Sequence, residues 1–287
     1  MFIWFGGTLT FFVFNTLFLA ILNGKKEILK YVTANIAGSL FSIAVTGTFA
    51  VKYGIYGVLV ALAIHQSLTF FVTFFLVYKS KWFRLKNMIG SIDSAAAKNL
   101  GKYTLMALTS AAVVPLSHIL IRNHLGSTLG WDFAGYWEAM WRLSGAYLML
   151  VTTTLGVYYL PRLSELKEAS EIRKEILQGY KLIMPVAAAC GLVIYLLRDF
   201  IIGVLFSNEF APMEVLFGWQ MIGDTLKIAS WILAYLMLSK AMTKLFIVTE
   251  IIFGFSFFVF AVFFTNLYGL QGVAIAHAVN YLIYFVI

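Results

Sequence analysis

Two spacings carry most of the ionisable chemistry in this chain. Glu138 and Arg142 stand four residues apart, and Gln220, Asp224, Lys227 and Trp231 recur at i, i+4, i+7 and i+11. On an α-helix either spacing aligns its side chains along one face. A carboxylate and a cation sharing a face have two uses. They neutralise one another as an internal ion pair, Glu138 with Arg142 and Asp224 with Lys227, or they line a hydrated cavity and meet a polar or anionic ligand. A bundle that leucines would fill at lower cost favours the cavity. Glu250 and the histidines His65, His118 and His277 lie in equally apolar stretches. Glu250 follows Lys244 closely enough to pair with a loop at the membrane surface. A lone histidine on an apolar helix reads first as a hydrogen-bonded packing residue and only then as a proton relay.

The elements that must position these residues are set by composition. The hydrophobic class makes up 61% of the 287 residues and charged residues 12%, against about 45–50% and 25% in ordinary globular chains. Mean hydropathy is +0.88. These values exclude a soluble domain, intrinsic disorder and a nucleic-acid module. The net charge of +8 fits basic loops against anionic lipid better than a nucleic-acid partner. One cysteine, Cys190, rules out an intrachain disulfide and a Cys-based metal site. Windows of about 19 residues predict an all-helical, polytopic membrane protein with nine spans: 2–22, 31–51, 55–78, 103–121, 134–160, 182–197, 213–238, 244–265 and 269–287. The first span lacks the basic flank and the small-residue cleavage site of a signal peptide.

Loop charge orients the spans. Of the 21 Lys and Arg, Arg142 and Lys227 fall inside spans and Lys52, Arg122 and Arg198 in loops after even-numbered spans, leaving sixteen in loops after odd-numbered ones. The richer set belongs in the cytoplasm, which puts residue 1 outside. That start, and a stop inside the apolar Tyr284-Phe285-Val286-Ile287, suggest part of a longer transporter. The stretch 79–102, with Trp82 and Phe83 beside basic residues, reads as a surface-lying cytoplasmic helix and a linker between two bundles. Pro161 is expected to end the fifth span, residues 162–181 to form a solvated helix with Glu171 near Lys174 and Glu175, 200–206 to lie at the interface, and Pro212 to start the next helix. Pro115 and Pro185 predict kinks. Gly38-Ser39, Ala61 and Ala63, Ala107, Ser110 and Ala111, and Ala187-Ala188-Ala189 offer surfaces for close helix approach. A Tyr-Gly-x-x-Gly cassette occurs twice between apolar helices, at Tyr53 to Gly57 and Tyr268 to Gly272, a hint of duplicated bundles.

Enzymatic motifs are missing: no HExxH, no Cys/His cluster and no phosphate-binding glycine loop ending in Lys-Ser/Thr. Gly24-Lys25-Lys26 is only a basic turn. The residues Phe217-Gly218-Trp219-Gln220-Met221-Ile222-Gly223-Asp224-Thr225-Leu226-Lys227, followed by Tyr235-Leu236 and Ser239-Lys240-Ala241, resemble the corresponding helix of the bacterial O-antigen and enterobacterial-common-antigen lipid-linked oligosaccharide flippases. So do Lys102 to Leu108, Val157 to Ser164, Leu196 to Phe200, Trp137 and Ala146-Tyr147-Leu148.

The resemblance implies membership of the multidrug/oligosaccharidyl-lipid/polysaccharide exporter superfamily, with two six-helix lobes and alternating access. By that likeness, residues 1–80 correspond to the last three helices of the N-terminal lobe, 81–101 to the cytoplasmic linker and 102–287 to the C-terminal lobe with its last helix truncated. The opening helices and a basic C-terminal tail have no counterpart here. The implied activity is that of a flippase, not an enzyme. It would carry undecaprenyl-diphosphate-linked oligosaccharide, an O-antigen or common-antigen repeat, from the cytoplasmic to the periplasmic leaflet of the bacterial inner membrane. Lipid II flipping and cation-coupled drug export are the alternatives within the superfamily. The implied partners are the polyprenyl-diphosphate glycan, membrane lipid, and polysaccharide polymerase and chain-length proteins, with no nucleic acid. No cofactor or metal is implied, beyond coupling to a proton or sodium ion. Because a diphosphate glycan cannot cross about 30 Å of hydrocarbon unaided, Arg142 and Lys227 are the expected substrate-binding cations, with Gln220 and Trp231 beside them. Glu138, Asp224 and Glu250 would tune charge or carry the coupling ion.

Overall fold

The computed structural model describes residues 2–84, 90 and 93–287, and among them finds helices and turns but no strand. They fall into two compact units, one within 1–92 and one within 93–287.

The first unit is α1 (Phe2–Gly24) and α2 (Ile28–Tyr78). A straight helix as long as α2 would separate its ends by roughly 75 Å. Instead Lys30 Nζ donates to Ser80 Oγ at 2.7 Å. The reversal is at Gly54, whose φ of 59° and ψ of −145° are non-helical, so α2 is two antiparallel spans with the boundaries expected near 51 and 55. Gly38 is buried against Thr69 across this hairpin, where a Cβ would strike the threonine methyl. Helix α1 packs along the second half of the hairpin through Phe18 and Leu22 against Val77, Phe70 and Phe74.

The second unit holds α3 (Ser94–Thr128), α4 (Trp131–Thr154), a π turn at Leu155–Tyr159, α5 (Leu160–Glu165), α6 (Ala169–Leu196), α7 (Arg198–Leu205), a 3-10 segment at Asn208–Leu216, α8 (Phe217–Ser239), α9 (Thr243–Tyr268) and α10 (Gln271–Val286). Seven helices among the described residues are long and apolar enough to cross a membrane. Gly54 splits one of them, and the shorter α10 completes the nine expected spans. The chain is a multi-pass membrane protein. Contacts fix the helix directions. Tyr147 with Asp224 and Thr152 with Tyr235 run α4 parallel to α8, and His277 with Asp224 and Ser230 with Tyr281 run α10 parallel to both. Ser110 with Glu250 and Ser117 with Gly254 run α3 parallel to α9. This alternation is the one the loop charges require.

Several boundaries differ from expectation. Asp93 caps the N-terminus of α3, accepting from the Ala95 N–H at 2.8 Å, so residues 94–102 are helical and continuous with the fourth span. The surface helix expected over 79–102 otherwise falls partly on 85–89 and 91–92, outside the described residues. Pro161 does not end the fifth span. It occupies the first turn of α5, and the helix runs on through the π turn before it to Glu165. The solvated helix expected over 162–181 is present from Ala169, largely exposed through residue 181, and α6 runs on unbroken into the membrane. Glu175 pairs with Arg162 across the turn at 3.5 Å rather than along its own helix. Pro212 lies in the 3-10 segment, and α8 begins at Phe217. Helices α3 and α6 continue through Pro115 and Pro185.

The two Tyr-Gly-x-x-Gly cassettes adopt one conformation. Gly54 has φ 59° and ψ −145°, and Gly269 has φ 61° and ψ −140°. The second glycine of each, Gly57 and Gly272, approaches the carbonyl eight residues earlier (Phe49 and Phe264) too closely for a Cβ. Each cassette therefore makes the same tight reversal, within a separate unit.

Candidate functional site

The polar stripe of α8 turns inward. Gln220 is 1% exposed, Asp224 0% and Lys227 7%, deep burial for such groups at membrane depth. Asp224 is held by donors from three helices. Tyr147 Oη of α4 donates to Oδ2 at 2.7 Å, and Gln220 Nε2 to Oδ1 at 3.2 Å. His277 Nε2 of α10 lies 2.9 Å from Oδ1. A carboxylate only accepts, so Nε2 is the donor, and the buried Nδ1 has no hydrogen-bond partner. Gly223 makes the approach possible, since a Cβ there would collide with the His277 ring and the Ala278 backbone.

Lys227 does not pair with Asp224 as the spacing alone suggests. Its Nζ sits 4.3 Å from the ring centre of Trp141, 5.0 Å from that of Trp231 and 5.4 Å from that of Tyr281, a cation–π cage. It faces a cavity of about 140 Å³, lined also by His118, Glu250, Phe253, Asn280 and Tyr284. Glu250 reaches this cavity from α9 and accepts from Ser110 Oγ at 3.0 Å, so it is an interior residue and not a loop-paired carboxylate. His118 lies edge-on to Trp141, with ring centroids 4.1 Å apart. Asn280 accepts from Ser256 Oγ at 2.6 Å. A second hollow of about 270 Å³, lined by Ser144, Gly145, Leu148 and Thr152, shares Trp141, Lys227 and Trp231 with the first.

Glu138 and Arg142 lie apart from this network. Arg142 Nε donates to Glu138 Oε1 at 2.9 Å, and the arginine side chain is 78% exposed, so the pair is real but open. His65 belongs to the first unit, where it lines a polar hollow of about 500 Å³ with Asn15, Asn35, Ser42 and Gln66. Thus α8, α9 and α10 unite Gln220, Asp224, Lys227, Trp231, Glu250 and His277, but not Glu138 or Arg142. His277, Asn280, Tyr281 and Tyr284 recur at i, i+3, i+4 and i+7 along α10. That spacing parallels the α8 stripe and was the available signal for Asn280, Tyr281 and Tyr284, which sequence reasoning passed over. Tyr147 entered only through resemblance. Among the described residues, no cluster of His, Cys, Asp and Glu is arranged to hold a metal.

The fold is that of the MATE transporters of the MOP superfamily. The Vibrio cholerae MATE transporter VcmN superposes with a TM-score of 0.85 at 16% identity, covering 99% of this chain and 66% of that one. An outward-facing multidrug-resistance MATE transporter of the MOP superfamily gives 0.85 at 15%, over 96% and 64%. A MOP superfamily transporter from Pyrococcus furiosus, described by the reversed polarity of its binding pocket, gives 0.79 at 14%, over 96% and 65%. In sequence the chain is 33% identical over 272 residues to the lipid III flippase of Escherichia coli K12 and, equally, to that of Shigella flexneri. The match takes in 94% of this chain, which spans 65% of those relatives' length. No family model matches the chain.

Proposed function

We propose that this chain is part of a flippase that moves a lipid-linked saccharide precursor across the membrane. The observation that carries this reading is the 33% identity to lipid III flippases across 94% of the chain. The relatives' name supports a lipid-carried precursor, the class that also includes the lipid II alternative, and does not reach an O-antigen repeat. Likeness to drug exporters is a likeness of fold. The geometry supports different roles for the two intramembrane cations. Arg142, exposed and oriented by Glu138, is the one available to a phosphate oxygen, for which a guanidinium is well suited. Lys227, caged by rings, holds the interior charge network with Asp224 and Glu250.

The test is complementation by the full-length gene in strains lacking either their lipid III or their lipid II flippase. Restored glycan display in the first strain alone supports the lipid III reading, and growth of the second shifts the substrate to lipid II. Rescue of neither, with export of cationic dyes, would overturn the flippase reading. In the rescuing background, Arg142→Ala should lower flipping about tenfold or more at equal protein level, the loss of one charge-assisted contact.

A further inference from the structure

Lys227 is nine-tenths buried, yet among the described residues no carboxylate lies within 4 Å of its ammonium and no acceptor takes a hydrogen bond from it. Its surroundings are three aromatic rings, the kind of enclosure that receives a cation from solution, but here the occupant is tethered to α8. Asp224 stands three residues back on the same helix, and Glu250 lines the cavity that Lys227 faces. Both acids have side-chain hydrogen-bond partners: Tyr147, Gln220 and His277 for the first and Ser110 for the second. Each acid therefore has hydrogen bonds but, among the described residues, no lysine or arginine at ion-pair distance. The wall shared by the two hollows is Lys227 with Trp141 and Trp231.

We propose that Lys227 is a built-in counter-cation, filling, in the cavity that it shares with Glu250, the place that a free monovalent cation would otherwise take, so that this unit does not use sodium. The inference concerns cation use alone and stands whatever substrate the protein carries.

The experiment is thermal unfolding of the purified full chain in lipid nanodiscs. Sodium chloride is compared with N-methylglucamine chloride at equal ionic strength. The wild-type Tm should be the same in both. Lys227→Met keeps the side-chain length and removes the charge, so its Tm should rise in sodium by roughly 3 °C or more. The double variant Lys227→Met/Glu250→Gln, which removes one acid as well, should lose that response. If Lys227→Met is recovered only unfolded, adding Glu250→Gln must restore folded protein. Sodium-dependent stabilisation of the wild type would overturn the proposal. So would a folded Lys227→Met indifferent to sodium, or failure of the second substitution to restore folding.

Discussion

At the scale of single residues, burial decides the role of each charge. Asp224 organises side chains from α4, α8 and α10, and its loss strands the Tyr147, Gln220 and His277 donors together. Asp224→Leu should therefore destabilise the protein by about 3 kcal/mol or more, read as a fall in Tm. Arg142→Ala, by contrast, should leave Tm nearly unchanged, because an exposed pair contributes about 0–1 kcal/mol. Glu27 is the acid whose titration bears on stability outside the spans. It sits between α1 and α2, bonded to Lys30 at 2.6 Å and to the Trp82 indole and Ser80. The hydrogen bond from Lys30, above all, holds its carboxyl below the ordinary value of 4.5, helped by Trp82 and Ser80 and opposed by partial burial. A depressed folded pKa means the clasp contributes fully above pH 4.5 and is lost as pH falls through the lowered value. Acid unfolding followed by tryptophan fluorescence should show that component in the wild type and not in Glu27→Gln.

At the scale of elements, glycines determine whether helices reverse or meet. The positive φ at Gly54 and Gly269 is strained for any residue with a Cβ, so Gly269→Ala should cost about 1–3 kcal/mol and loosen α9 from α10. Gly223→Ala tests helix contact instead of backbone freedom. Its methyl would push the His277 ring off Asp224, at about 1–3 kcal/mol for overpacking. Limited proteolysis beside thermal unfolding separates the two effects: hairpin opening exposes the α9–α10 turn, whereas displaced packing lowers Tm without a new cleavage. The fused α6 has a comparable logic. Its polar first turns are held by Arg162 with Glu175, and by Tyr180, whose hydroxyl donates to the Ala229 carbonyl at 2.9 Å. The helix therefore enters the membrane without a break.

At the scale of the whole molecule, helix direction and loop charge agree. Helices α4, α8 and α10 run one way and α3 and α9 the other, as the positive-inside bias demands. In a Cys190→Ser background, a cysteine at exposed Ser170 should be labelled by an impermeant maleimide only from the cytoplasmic side. Labelling from the outside would invert the topology.

Composition and period fixed the membrane class, the spans and the helix faces, because hydrocarbon demands long apolar helices whatever their neighbours. The repeated glycine cassette was legible for a similar reason: its conformation is local. Pairing was not legible. Asp224 and Lys227 share a helix face, yet one turned to His277 and the other to three aromatic rings, and Glu250 proved an interior residue despite its closeness to Lys244. Those choices depend on which side chains α3, α4, α9 and α10 bring to the same depth. That is a matter of three-dimensional packing, which no spacing along one helix contains.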